Sequence, residues 1–172
     1  MWQKAWDEVQ HVVTGMQINY TGVFNYQEIF RFIDRHFRKK GYEKMVLMDK
    51  EKVFKTGKSI HARLRPYKVK GDARLEVQIW IEIENMTEFI KEFEEKKVKL
   101  NKGDVSITID AFVVYNQRGK WEVRAEYVFI RTLFDKFLTK PESANYEGQV
   151  KVDAVEFKQE INSLLNLYKF MF

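Results

Sequence analysis

Cysteine is absent from all 172 residues, so the chain carries no disulfide framework, no thiolate nucleophile and no cysteine-based zinc or iron–sulfur site. That suits a reducing compartment, and a cytoplasmic location is expected. Proline occurs twice and glycine eight times. With so few breakers, most of the chain should be regular structure. The three histidines, His11, His36 and His61, are far apart and lack metal-ligand spacing. P-loop, G-x-G-x-x-G and G-x-S-x-G motifs are missing as well. No metal, cofactor or catalytic residue is expected, and a non-enzymatic role is favoured over an enzyme. No stretch reaches the roughly 18–20 uncharged apolar residues that span a bilayer, and the start lacks a signal-peptide pattern. Neither a transmembrane segment nor peripheral membrane contact is therefore expected.

What is present reads as a globular chain, with 45% hydrophobic and 32% charged residues. Neither internal repeat nor linker is visible, so residues 1–172 read as one domain. The net charge of +5 permits an anionic partner without requiring one, because Lys and Arg are mixed with Asp and Glu nearly everywhere.

The strongest pattern lies at 73–84, where Ala73, Leu75, Val77, Ile79, Ile81 and Ile83 alternate with Arg74, Glu76, Gln78, Trp80, Glu82 and Glu84. Such alternation predicts a strand with one dry and one wet face. Val105, Ile107, Ile109, Ala111 and Val113 predict another, introduced by a turn at Asn101-Lys102-Gly103. Ile60, Ala62 and Leu64 alternate with His61, Arg63 and Arg65 in a third. A two-residue turn at Lys70-Gly71 would set Arg65 opposite Glu76, Arg63 opposite Gln78 and His61 opposite Trp80. Residues 86–100 are ambiguous: TEFIKEFEEK has a helix-like start, whereas Phe89, Lys91 and Phe93 alternate as in a hairpin turning near Glu94-Glu95-Lys96.

Helical spacing appears four times. Trp2, Ala5, Trp6, Val9, Val12 and Val13 predict an N-terminal amphipathic helix over 1–15, capped at Gly15 and followed by a strand of Met16, Ile18, Tyr20 and Phe24 interrupted at Gly22. Asn25 opens a helix over 25–40, with Glu28 placed as in a capping box and Gly41 at its end. After a turn at 116–120, Ile130, Leu133, Phe134 and Phe137 predict a helix over 126–138, with Pro141 leading into a polar loop through Gly148. In the last helix, 150–172, Ala154, Ile161 and Tyr168 recur seven apart, as do Phe157, Leu164 and Met171. The resulting fold class is α+β: a largely meandering antiparallel sheet over 16–149, with one face covered by helices including a long C-terminal one.

Two groups of residues are candidates for contact with an anionic partner. His61, Arg63, Arg65 and Lys68, beside Trp80, form a basic stripe able to stack bases and neutralise phosphates, although such charges also simply solvate a sheet face. Arg35, Arg38 and Lys39 form a second cluster that equally well complements a helix C-terminus. Trp2, Trp6, Leu164, Tyr168 and Met171 are candidate interaction anchors for a protein partner or a second copy, because large rigid side chains make good anchors. The expected function is a non-enzymatic binding or assembly module. Two alternatives stand beside it: hydrophobic small-molecule or lipid binding in a cavity between sheet and helix, and a basic RNA- or ribosome-associated protein.

The stretch KKVKLNKGDVSITI, followed by Trp121 and LFDKF at 133–137, resembles a set of uncharacterised conserved hypothetical proteins of archaeal genomes. The similarity runs from about Gly41 to the C-terminus and implies no activity. The order of strand, helix, antiparallel strands and long terminal helix is similar to the helix-grip fold of START-like proteins, in which the last helix lies across a curved sheet above a hydrophobic cavity. The chain departs from that pattern in its N-terminal helix, its 126–138 helix, and one helix rather than two after the first strand.

Overall fold

A computed structural model describes residues 8–93, 96–115 and 140–171. The elements run β1 (Glu8–Phe24), α1 (Tyr26–Lys39), β2 (Val46–Phe54), β3 (Gly57–Leu64), β4 (Tyr67–Lys70), β5 (Ala73–Phe93), β6 (Lys96–Tyr115) and α2 (Lys140–Met171). All strand pairs are antiparallel, in the order β1-β6-β5-β3-β2, with β4 also on β5. Among the described residues β1 and β2 remain unpaired edges, so the sheet is open rather than a barrel. The arrangement is helix-grip-like.

Alternation on β5 and β6 creates the dry face. Leu75, Val77, Ile79, Ile81 and Ile83 are buried there, as are Val105, Ile107, Ile109, Ala111 and Val113. Against β1, β6 and β5 lies α2, which buries Val150, Ala154, Phe157, Ile161, Leu165 and Tyr168. Their spacing of three and four keeps them on one stripe. Of the predicted seam, Ala154, Phe157, Ile161, Leu164 and Tyr168 are thus used inside the molecule, and Met171 is exposed.

Several expectations need correction. The predicted N-terminal helix is strand from Glu8 onward, and its two tryptophans lie outside the described residues. Three valines favour extended backbone, and the edge of β6 supplies partners from Val114 to Ala111 for Val9 to Val13. Gly15 is not a helix cap: at φ 66° it forms a bulge between Val13 and Met16, its N–H held by Asp110 Oδ1 at 2.7 Å. Gly22 does not interrupt the strand but pairs with Gly103. The proposed turn at Asn101–Gly103 is also absent, and β6 runs straight through it. Gly103 is required there because a Cβ would sit 2.7 Å from the Glu84 carbonyl oxygen at the bulge around Asn85.

The turn beside β4 is Gly71-Asp72, pairing Lys70 with Ala73. Arg63 therefore sits opposite Trp80 and His61 opposite Glu82, two residues from the expected register but on the same face. Residues 86–93 and 96–100 lie in paired antiparallel strands, with Phe93 opposite Lys96, rather than in a helix. Pro141 and Gly148 lie within α2 instead of a loop; proline is tolerated in a first turn, where its missing N–H would have no helical partner. The 126–138 helix and the turn before it fall outside the described residues.

α1 forms as expected. The Asn25 side chain accepts the Glu28 N–H at 3.2 Å, and Gly41 at φ 79° closes the far end while Tyr42 N–H bonds the Phe37 carbonyl at 2.9 Å. Its buried residues Ile29, Ile33 and Phe37 face the same side of the sheet as Ile60, Ala62 and Leu64.

Candidate functional site

The residues opposite one another across the sheet determine how high its dry face stands. One row runs Ile18, Ile107, Ile81, Ala62, Asp49 from β1 to β2. Branched side chains fill it as far as β5; at β3 the side chain shrinks to a methyl, and at β2 it becomes a carboxylate. The floor drops under α1, and a cavity of about 430 Å³ opens there. Phe30, Ile33 and Phe37 of α1 form its roof, Ala62, Leu64 and Pro66 its floor, and Tyr42 and Met45 its end wall. Asp34, Arg38, Glu43, Lys44 and Asp49 contribute the polar groups.

Those polar groups are unequally occupied. Asp34 accepts Arg38 Nη2 at 2.7 Å and lies 3.6 Å from Lys44 Nζ. Glu43 accepts the Tyr67 hydroxyl at 2.6 Å, which, with the nearby carboxylate charge, pushes the Tyr67 phenol up. The Asp49 side chain is solvent-exposed and makes no hydrogen bond or ion pair to another side chain among the described residues.

The end wall is anchored by a buried polar cluster. Asp153 of α2 accepts the Tyr42 hydroxyl at 2.8 Å, Lys68 Nζ at 2.8 Å and Lys40 Nζ at 3.0 Å. Lys40 also pairs with Glu156, and the Lys68 ammonium lies 4.2 Å from the centre of the Tyr42 ring. Burial pushes the Asp153 carboxyl up, but the hydrogen bonds from Lys68, Tyr42 and Lys40 outweigh it and hold the group below the usual carboxylate range. Burial, reinforced by the Asp153 charge, pushes the Tyr42 phenol far up. The cluster ties α2 to the end of α1 and to β4, fixing one side of the cavity.

The stripe anticipated from sequence is split by this geometry. His61, Arg63 and Trp80 lie on the face away from α1, whereas Lys68 lies on the helix side, buried against Asp153. Arg63 donates to Gln78 Oε1 at 2.7 Å and stacks 4.3 Å over the Trp80 ring; Arg65 pairs with buried Glu76 and stacks 4.5 Å over Phe112. Arg35, Arg38 and Lys39 are exposed on α1, on the opposite side of the sheet from Arg63 and Arg65.

Of the described anchors, Tyr168 is buried and donates to Glu28, Leu164 packs on the core, and Met171 is exposed beside Phe170. Hydrogen bonds from Asn85 and Thr21 lower the Asp104 carboxyl, while Asp110 caps the bulge at Gly15. Among the described residues no group of three metal-binding side chains occurs, and no helix is long and apolar enough to cross a membrane.

Tyr42, Asp49 and Asp153 were not among the residues that the sequence singled out. A signal existed for Asp153, an acid inside the apolar stripe between Val150 and Phe157, which demands buried cationic partners. No protein-family model matches the chain, and no curated protein matches its sequence.

Proposed function

We propose that the protein binds a small, largely apolar molecule in the cavity beneath α1. The observation that carries this reading is the cavity itself: about 430 Å³ walled by Phe30, Ile33, Phe37 and Leu64, with charged groups contributed by α1, the segment after it and β2. Ligand sites are usually preformed concavities of roughly 300–1,000 Å³ with this balance of apolar wall and sparse polar contacts. Its place differs from the helix-grip expectation, since the space under the long terminal helix is filled by Phe157, Ile161 and Leu165.

The nucleic-acid reading needed one continuous basic surface, and the two clusters lie on opposite sides of the sheet with Arg65 and Lys68 already paired to carboxylates. Self-association draws its remaining support from Leu167, Phe170 and Met171, which stay exposed at the end of α2. Calorimetric titration with decanol tests the cavity reading. The intact chain should bind it, and Ala62→Trp, which fills the floor, should abolish binding while the far-ultraviolet circular dichroism is retained. Decanol binding that survives the substitution, or no binding to the intact chain, overturns the reading.

A further inference from the structure

We propose that β2 is a docking edge for an extended acidic peptide, which continues the sheet and turns apolar side chains toward the cavity beneath α1. This occupant is additional to the small molecule proposed above, and the two share one groove. Among the described residues β2 pairs only with β3, so the backbone N–H and C=O groups along its other side have no strand to meet. A free edge beside a helix is a geometry in which main-chain hydrogen bonds supply affinity and alternate side-chain contacts supply specificity. Here the helix is α1, and Val46 and Asp49 of β2 line the cavity together with Ile33 and Asp34 of α1.

Side-chain placement along β2 selects the partner. From Met48 to Phe54 the strand pairs with β3 without a break in register, so successive side chains alternate in face. Lys50 and Lys52 stand opposite His61 and Ser59 and share the face turned away from α1, where Arg63 also lies. Asp49, Glu51 and Val53 occupy the helix side, and Glu51 is compensated there by Lys58 at 3.3 Å. A strand laid along this edge meets lysines on one face and, on the other, Val46 and Val53, which are 49% and 71% exposed. Glutamate on the first face and leucine on the second match that pattern, because cross-strand pairs of opposite charge and of apolar side chains are both favourable. The same pattern opposes a second copy. Two β2 strands paired about Lys50 set that lysine against itself and Asp49 against Glu51, and paired about Glu51 they set Lys50 against Lys52. The charges thus guard the edge against its own kind and leave an unlike strand admissible.

A blocked, fluorescently labelled heptapeptide alternating glutamate and leucine, titrated by anisotropy against the full chain, tests the assignment. It should bind saturably. Two further forms carry N-methyl groups on every second amide, one on the leucines and one on the glutamates, so each loses the donors of one peptide edge. One of them should bind at least about tenfold more weakly and the other within about threefold of the parent peptide, since only one edge faces β2. A lysine-for-glutamate peptide should bind about tenfold more weakly than the parent, and Lys50→Glu/Lys52→Glu, confined to exposed side chains, should reverse that order. Equal affinity of the two N-methylated forms, or a peptide order unchanged by the charge reversal, overturns the proposal. A dimer in light scattering that excludes the peptide puts a second copy at the edge and overturns it too. Decanol binding without peptide binding overturns it and leaves the cavity reading standing; peptide binding without decanol binding does the reverse.

Discussion

The two halves of the helix-facing surface are built on the same backbone geometry and end differently. Under α2, the strands β1, β6 and β5 present isoleucine, valine and leucine at consecutive rows, and the interface is closed. Under α1, the rows continue onto β3 and β2 but their volume falls away, and β2 is solvent-exposed over most of its length, with Val53 71% exposed. Burial therefore follows which side chain the register places in each row. The lesson is that a cavity can be opened on a sheet by a short side chain, Ala62, beside an exposed strand whose register shifts between Val46 and Met48.

The comparison predicts the largest effect where packing is closed. Ile79→Asp places an unpaired carboxylate under α2 and should cost about 3–5 kcal/mol or prevent folding, as measured by denaturant unfolding. A variant that unfolds at the parent midpoint would mean that the closed half is not the core.

Next comes the cluster joining the halves. Asp153→Ala strands Lys68 in a buried site and should cost about 3 kcal/mol. The lowered Asp153 carboxyl means that its contribution is present above the ordinary carboxylate range and is lost as pH falls through the folded-state value. Asp153→Asn should flatten the acid limb of a melting-temperature profile relative to the parent; an unchanged limb would assign acid sensitivity elsewhere.

A sharper contrast pairs two alanines. Ala111→Leu, in the closed half, should destabilise by about 1–3 kcal/mol through overpacking. Ala62→Leu should cost less than about 1 kcal/mol, because the cavity receives the added atoms. Equal losses in thermal unfolding would mean that the two halves are packed alike. The smallest effect belongs to the exposed cluster on α1: Lys39→Ala should stay within about 0.5 kcal/mol of the parent.

Much of this architecture was legible in the chain. Alternation over 73–84 specified a strand and its dry face, and Asn25, Glu28 and Gly41 marked α1 at both ends, because these signals act through local backbone geometry. The N-terminal segment misled for the opposite reason. Val9, Val12 and Val13 satisfy helical spacing, but β6 offered hydrogen-bond partners along its edge, and tertiary pairing outweighed a weak local preference. The cavity was not legible at all, since Ala62 and Asp49 are adjacent only through the register of β2 on β3.

Residue order by itself therefore determined the fold class, the faces of the main strands and the absence of cysteine chemistry, all of which depend on composition or on neighbours a few positions apart. Tertiary structure alone decided that Lys68 turns inward to Asp153, that the two basic clusters face apart, and that Ala62 and Asp49 meet at the cavity beneath α1. Those outcomes depend on contacts between residues from 13 positions apart, Asp49 and Ala62, to 85 apart, Lys68 and Asp153, and no local pattern encodes which side chains such pairings bring together.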